Sequence, residues 1–283
     1  MNQFRAEFER LWSRTFVQIM VVLLAVLGAI TIWLTAANSS RPSAAQIRTG
    51  YLHHVFIFSE DANGLLVILM IFAIMIAFLV GASYVGAEIT SGAMTNLLLW
   101  HPRRVATLGI KLAALLAGVA ALSVVSAGLY LGALRLVAAV NGHPGWQEPE
   151  AWGALGLTFL RLLVLALLAS ALGFALATLG RHTAAALGIA MGYLILWEAG
   201  GRLALLISRT VNPDRWMLST WVFAWGTGGR RGTDYTRSCD SAGENCAWAV
   251  DVITAPTALL VLLAVVGAAL AAAFASFRRR DLA

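Results

Sequence analysis

Apolar runs of about twenty residues recur along the whole chain, and they constrain its fold more than any other feature. A helix of that length crosses the hydrocarbon core of a bilayer, about 30 Å. The runs lack the alternation of a barrel strand, so α-helices are the remaining structure in which every backbone N–H and C=O can be hydrogen-bonded in lipid. The sequence predicts an all-α, polytopic membrane protein with six transmembrane helices, at about 16–37, 63–85, 107–138, 152–178, 183–207 and 252–276.

Basic residues in the short connections give the predicted orientation. They precede the first span, separate the second from the third and the fourth from the fifth, and follow the last: Arg5, Arg10, Arg14, Arg103, Arg104, Lys111, Arg181, Arg278, Arg279 and Arg280. With six spans these positions share one side, which the positive-inside rule identifies as the cytoplasm. Both termini are expected there. Most outer arginines fall in the long segment 208–250, where the rule gives them little weight.

Composition excludes some classes of protein. The formal net charge is +6, but basic residues that flank membrane spans facing anionic lipid account for it, and no basic stripe with interleaved aromatic residues indicates nucleic acid. The first apolar run is too long for the core of a signal peptide, which predicts a retained span. Lys111 is the only lysine beside nineteen arginines, a bias typical of a GC-rich bacterial genome. We expect a multi-pass protein of the bacterial inner (plasma) membrane.

Residues 4–15 predict a helix ahead of the first span. Its apolar residues share one helical stripe: Phe4, Phe8, Leu11 and Trp12. That pattern favours an N-terminal amphipathic helix lying on the cytoplasmic leaflet. The alternative is a polar start to the first span.

A polar and basic stretch, residues 86–111, separates the second and third apolar runs. It is longer than a loop that only reverses the chain. An apolar patch at 97–100 predicts a short amphipathic helix over about 86–102. Pro102 ends that helix because proline lacks an N–H and restricts the residue before it. A push on such a helix, tied to two spans, would tilt both.

The residues that define this stretch are Glu88, Gly92, Leu97–Leu99, Pro102, Arg103, Arg104 and Lys111. Their order and spacing resemble the hinge of the ABC-2 family of ATP-binding-cassette transporter permeases. Ala93 departs from that pattern, in which a Thr often follows the Gly. The six spans, the amphipathic start and the outer segment 208–250 also agree with the family. The resemblance therefore covers residues 1–283 as a single transmembrane domain.

The resemblance implies a cytoplasmic coupling helix that docks in a groove of a separate ATPase subunit. Two permeases, identical or paralogous, and two ATPases would form an exporter, with ATP and magnesium held by the ATPase and no cofactor in this chain. The cargo is expected to be amphipathic or lipophilic, although a family does not fix a substrate. The implied ATPase-coupling residues are Glu88, Gly92, Pro102, Arg103, Arg104 and Lys111, and Glu88, Arg103 and Arg104 are expected to contact the partner.

Catalytic motifs are absent from the sequence. It contains no nucleotide-binding GxxxxGK[ST] loop, no HExxH and no GxSxG, which predicts a subunit without catalytic or metal sites. One alternative keeps the architecture and has the permease transmit mechanical work to an envelope maturation system. Another is a secondary transporter or an intramembrane enzyme. Either would need an acidic relay or discontinuous helices at the midplane, and Glu198 alone points that way.

Three charged residues lie at predicted membrane depth: Arg161 in the fourth span, and Glu198 and Arg202 in the fifth. A charge at the bilayer centre costs roughly 2.5–3.5 kcal/mol, so such residues usually pair or face a cavity. Arg161 and Glu198 lie at similar distances from the turn at Arg181, and Glu198 and Arg202 are i,i+4 neighbours. We predict that the two arginines share Glu198. The alternative is a polar spot in the translocation path that meets a charged substrate group.

The outer segment 208–250 has two notable features. Residues 212–225 combine a helix start with a cluster of tryptophans, which predicts either an interfacial or re-entrant helix or an aromatic-belt anchor. Cys239 and Cys246 flank a Gly243 turn on the oxidising side, which favours a disulfide. A metal pair is the alternative, but no His or further Cys lies nearby to complete a site.

Overall fold

The structure is a computed structural model that describes residues 3–49, 54–93, 104–208, 213–239 and 246–279. Six helices within these ranges are long and apolar enough to cross a membrane. They confirm the six predicted spans. In chain order they are Thr15–Asn38, Phe58–Thr90, Val105–Asn141, Glu148–Gly180, Thr183–Ile207 and Ala255–Arg279.

The elements are labelled in chain order. The first four spans and the helices around them are α1 Gln3–Trp12, α2 Thr15–Asn38, α3 Ala44–Thr49, α4 Phe58–Thr90, α5 Arg104–Asn141 and α6 Glu148–Gly180. The fifth span consists of α7 Thr183–Tyr193, a π-helical segment Leu194–Gly201 and α8 Arg202–Ile207. The rest comprises a 3-10 turn Pro213–Trp216, α9 Leu218–Thr227, β1 Gly229–Cys239, β2 Cys246–Thr254 and α10 Ala255–Arg279.

The second span ends later than predicted. α4 runs to Thr90, so residues 86–90 continue this helix instead of starting a separate coupling helix. Gly92 stops it: its φ of 72° is left-handed, and its N–H donates to the carbonyl of Ile89 at 3.3 Å. Glycine adopts that conformation without a Cβ penalty and is the usual residue at a helix C-terminus. Residues 94–102 of the predicted coupling helix lie outside the described residues.

The chain divides into two compact units, and the first comprises Met1–Tyr84 and Leu97–Phe174. Within it α4 and α6 approach closely at two glycines. A Cβ on Gly81 would collide with the carbonyl of Ser170, and one on Gly173 with the carbonyl of Phe78. Small residues at such crossings let helix backbones come together in a membrane.

Polar contacts join other elements of this unit. In the spans, the hydroxyls of Thr31 on α2 and Tyr130 on α5 are hydrogen-bonded at 2.9 Å. At the ends of α2 and α5 away from α1, the Ser39 hydroxyl donates to the carbonyl of Asn141 at 2.6 Å. The backbone N–H of His143 donates to a carbonyl in the segment before α4, that of Phe56, at 2.9 Å. The ends of α2 and α5 and the segment before α4 are therefore hydrogen-bonded to each other.

The second unit comprises Val85–Asn96 and Ala175–Ala283. Here β1 and β2 form an antiparallel hairpin between α9 and α10, with an irregular register between Thr233 and Arg237. A small core joins these elements: Ala224, Ile253 and Ala258, with Trp221 and Trp225 packed against them. The hairpin is an addition to the all-α architecture that the sequence analysis predicts.

Candidate functional site

Four side chains from α1, α4, α5 and the start of α2 meet at one end of the first unit. We call them the Glu7 cluster: Glu7, Arg14, Tyr84 and Lys111. Lys111 Nζ lies 2.6 Å from Glu7 Oε2, and the hydroxyl of Tyr84 donates to the same oxygen at 2.7 Å. The cluster joins residues that are distant in sequence, and Glu7, Arg14 and Tyr84 are not among the predicted site residues.

The core of the cluster is buried. Lys111 is 0% exposed, Tyr84 1% and Glu7 5%. Arg14 Nη1 donates to the backbone carbonyl of Tyr84 at 2.9 Å, and its guanidinium carbon lies 4.8 Å from the centre of the Tyr84 ring. Lys111 Nζ lies 5.4 Å from the same centre. The ring therefore receives two cations over its electron-rich face.

The charge state of Glu7 follows from opposing effects. Burial raises the pKa of this carboxyl, but the hydrogen bond and charge of Lys111, the hydrogen bond from Tyr84 and the charge of Arg10 lower it. The net result is a pKa below the usual value of 4.5. Glu7 is therefore ionised at neutral pH, and its interaction with Lys111 is a true ion pair.

The predicted amphipathic helix is present as α1. One face of this helix packs against another helix of the protein, α5. Leu11 is buried, and a Cβ on Gly118 of α5 would collide with it. Leu11 and Glu7 are i,i+4 neighbours, so both face α5. Phe4 and Phe8 stack at 6.2 Å on a more exposed side, where Phe4 is 43% exposed. The face of α1 that packs against α5 therefore includes the carboxylate of Glu7, which is not part of the predicted apolar stripe.

The residues predicted to couple to an ATPase differ in their burial and in whether the structure describes them. Glu88 is 3% exposed, and its contact with an ATPase subunit stays a prediction. Lys111 is buried in the Glu7 cluster. Arg104 begins α5, and its side chain lies outside the described residues, as do Pro102 and Arg103.

The end of α4 is closely packed within the second unit. A Cβ on Gly86 would lie 2.5 Å from Thr183 Oγ1 and 2.7 Å from Thr183 N, at the start of α7. The turn before α7 is held by His182, whose Nδ1 accepts from the N–H of Ala184 at 3.0 Å. The last turn of the second span therefore abuts the start of the fifth.

Glu198 lies in the π-helical segment and contacts the start of α9. Its Oε1 accepts from the N–H of Ser219 at 2.9 Å and from the hydroxyl of Tyr193 at 3.1 Å, while Oε2 accepts from the Ser219 hydroxyl at 2.7 Å. Met217, which precedes α9, supplies no side-chain cap. A carboxylate here satisfies an orphan N–H and is favoured by the helix dipole. Glu198 therefore acts as a distant cap for α9.

The partners within the predicted charge cluster differ from the expected ones. Arg202 Nη2 pairs with Asp214 Oδ1 at 2.6 Å, and Glu198 bonds to Tyr193 and Ser219. The physical reason is the π-helical winding of residues 194–201, because the expected i,i+4 pair presumes α-helical spacing. The contact of Glu198 with Arg161 stays a prediction.

Replacing Glu198 with Ala is expected to lower the free energy of unfolding by about 1–2 kcal/mol, because α9 loses its cap. Glu198→Gln keeps an acceptor and should lose less. Thermal unfolding and limited proteolysis of the outer segment would measure both effects. Glu9→Ala is the control, because that carboxylate is 54% exposed and pairs with Arg5 at the surface. Equal protease resistance of Glu198→Ala and Glu9→Ala would contradict the capping role.

The cysteines occupy paired positions of the hairpin. The register places Cys239 opposite Cys246 at the last pair before the connection. A disulfide between them stays a prediction, since the side chains of these strand residues lie outside the described part. Among the described residues, His, Cys, Asp and Glu form no group of three or more that could hold a metal ion.

These features define a class: a multi-pass α-helical membrane protein with a buried ion pair at one end of its first unit. Comparison of the chain with models of known protein families gave no match, and comparison with curated proteins also gave none.

Proposed function

We propose that this chain is the membrane subunit of an ATP-driven exporter of the ABC-2 type in the bacterial inner membrane. The chain would have no catalytic residue of its own and would work with a separate ATPase and a second permease, identical or paralogous. The observation that carries the proposal is the stretch Glu88–Lys111, whose residues follow the order and spacing of the ABC-2 hinge.

The Glu7 cluster supports a mechanical role for that stretch. Tyr84 and Lys111 lie on the two spans that flank it, and both bond to the same oxygen of Glu7. Both helices are thus joined through α1. A displacement of the connection would be passed on to α4 and α5 together, because a buried ion pair with a third hydrogen bond resists separation.

In the proposed mechanism, closure of the ATPase subunits on ATP moves the connection between α4 and α5. The two spans carry this motion to a cavity between the permeases and open it outward. Arg103 and Arg104 contact the ATPase, whose groove offers complementary charge.

The proposal extends to cargo and to the outer hairpin. The cargo is an amphipathic or lipophilic compound, which suits an apolar interface in the bilayer. A disulfide between Cys239 and Cys246 would close the connection of the hairpin on the oxidising side, where their paired register favours it.

The double variant Arg103→Glu with Arg104→Glu is expected to abolish ATPase coupling. The reversed charges repel a complementary groove, so the ATPase dissociates or its activity ceases to depend on the permease. The amount of permease in the membrane should stay the same. The measurements are co-purification with an ABC ATPase subunit produced together with the permease and ATPase activity with and without the permease.

The control for this experiment is Arg278→Glu with Arg279→Glu, which makes the same charge change at the end of α10 on the same predicted side. It should leave assembly intact. Unchanged assembly and transport in the Arg103/Arg104 variant would refute the assigned contact. Failure of any ATPase to co-purify with the unaltered chain would overturn the proposed function.

A further inference from the structure

One face of the fifth span is bonded to the segment that leads into α9, residues 214–219, which we call the strap. The backbone N–H of Leu218 donates to the hydroxyl of Tyr193 at 3.2 Å, and that of Ser219 donates to Glu198 Oε1 at 2.9 Å. The hydroxyl of Tyr193 in turn donates to Glu198 Oε1 at 3.1 Å. Two consecutive amides at the start of α9 are therefore held by two side chains of the fifth span that also bond to each other.

Two more contacts join the same face to the earlier part of the strap. Trp197 Nε1 donates to the backbone carbonyl of Trp216 at 3.1 Å. The guanidinium of Arg202 pairs with Asp214 at 2.6 Å. The strap is thus bonded along its length to four side chains of the span, at positions 193, 197, 198 and 202.

These four side chains share a face because the span is π-helical between them. Tyr193 and Glu198 are five residues apart, and so are Trp197 and Arg202. An α-helix turns about 100° per residue, so residues five apart would point about 140° away from each other, and Tyr193 and Arg202 about 180°. A π-helix closes i→i+5 bonds, as the N–H of Arg202 does with the carbonyl of Trp197. The face that binds the strap therefore exists in the π-helical winding and is lost in the α-helical one.

The strap also connects the fifth span to the last one. It continues into α9, where Ala224 packs with Ile253 of β2 and Ala258 of α10. The fifth span has 6% of its most apolar window buried, the smallest share among the six spans. Few other contacts therefore oppose a movement of this span when the strap lets go.

We propose that the fifth span and the strap form a two-state switch. In the docked state residues 194–201 are π-helical and the four side chains hold the strap. In the released state these residues rewind as an α-helix, the ordinary winding of a helix without such contacts. α8 then turns about the axis of the span, which is no longer fastened to α10. The switch is a property of this chain alone and does not depend on the proposed transport function.

Two measurements on the full-length chain in detergent follow the two halves of the switch. Ile189 and Leu206 lie on either side of the π-helical segment and are 49% and 55% exposed. Ile189→Cys with Leu206→Cys carries spin labels, in a chain whose Cys239 and Cys246 are replaced by Ser. A π turn holds more residues than an α turn, so the distance between the labels should be shorter in the docked state. Hydrogen exchange of peptides covering residues 214–220 reports release of the strap.

The first variant acts on the strap. Tyr193→Phe removes the hydroxyl that accepts from Leu218 and donates to Glu198. Exchange in the strap should become about fivefold faster, the effect of losing one net hydrogen bond. A population with a longer label distance should arise with it. Tyr130→Phe is the matched control, because it removes a hydroxyl that bonds to Thr31 in the first unit, and it should change neither measurement.

The second variant acts on the winding. A Cβ on Gly201 would lie 3.2 Å from the ring of Trp197, so Gly201→Ala crowds the π-helical segment. It should lengthen the label distance and also accelerate exchange in the strap. Gly188→Ala is the matched control, since this glycine lies on α7 of the same span with nothing within 4 Å of its Cβ position. It should leave both measurements unchanged.

The switch requires that winding and docking change together. A change in one measurement without the other, in Tyr193→Phe or in Gly201→Ala, would overturn the proposal, as would the absence of any change in both variants. Peptides of α6, in the first unit, should exchange at the same rate in every variant. Faster exchange there as well would show a general loss of stability instead of a local switch, which also overturns the proposal.

Discussion

Replacing Lys111 with Met is expected to lower the free energy of unfolding by about 3 kcal/mol, because breaking one half of a buried ion pair leaves an uncompensated charge. Met has nearly the length and volume of the aliphatic part of lysine, so the packing changes little. What changes is Glu7, which is 5% exposed and loses the cation 2.6 Å from its Oε2. Thermal or denaturant unfolding in detergent measures the loss.

The matched double variant separates charge from packing. Glu7→Leu with Lys111→Met removes both charges and leaves two apolar side chains of similar volume, which typically restores most of the stability. The hydroxyl of Tyr84 keeps an acceptor, because it also bonds to the backbone carbonyl of Glu7 at 3.2 Å. If the double variant were as unstable as Lys111→Met, the cluster would act through packing and not through charge.

An exposed ion pair on the same helix supplies the control. Arg5→Met breaks the pair with Glu9, whose side chains are 74% and 54% exposed. Exposed pairs contribute about 0.5 kcal/mol or less in helices, so this variant should unfold almost as the unaltered chain does. A loss as large as that of Lys111→Met would contradict the special role of the buried pair.

The same pair predicts a dependence on pH. The pKa of Glu7 is lower in the folded protein than its usual value of 4.5. The stabilisation that ionised Glu7 contributes is therefore complete at a pH above the pKa of Glu7 in the unfolded chain. It is lost as the pH falls through the pKa of Glu7 in the folded protein. The stabilities of the unaltered chain and of Lys111→Met should accordingly approach each other as the pH falls and then cross. Protonation of Glu7 removes the anion 2.6 Å from the buried Lys111 in the unaltered chain, whereas in Lys111→Met it removes the buried charge that lacks its lysine.

The six spans could be predicted because length and hydropathy suffice for a helix in lipid. The Glu7 cluster could not, because a carboxylate in an amphipathic helix is ordinarily exposed and nothing local indicates a partner 104 residues away. One signal was available. Lys111 is the eighth residue of a helix that is apolar over most of its length, and a lysine at such a place needs a partner.

The outer hairpin shows a different limit. The residues of β2, CAWAVDVIT, are rich in strand-forming types, and two cysteines flank the connection. These signals stand in a polar outer segment, for which the tryptophan cluster predicts an interfacial helix or an aromatic-belt anchor instead of strands. The π-helical winding of residues 194–201 has no local sequence signal, and it decides where Glu198 points.

The second large effect is expected for Gly81→Ala. A Cβ at this position would collide with the carbonyl of Ser170 and lie 3.0 Å from its Cα. Overpacking of this kind typically costs about 1–3 kcal/mol, and here the helices α4 and α6 must separate. Thermal unfolding in one detergent and the yield in the membrane fraction measure the change. Gly64→Ala is the matched control, since Gly64 belongs to the same helix and has nothing within 4 Å of its Cβ position.

The sign of the difference between these two variants is the decisive result. Alanine is a better helix former than glycine by about 1 kcal/mol, so Gly64→Ala should stabilise while Gly81→Ala destabilises. No rotamer change relieves the collision at Gly81, because the opposing atoms are backbone. Gly173 on α6 makes the reciprocal approach to the carbonyl of Phe78, so Gly173→Ala should reproduce the loss. If either variant matched Gly64→Ala, the two spans would not be in backbone contact.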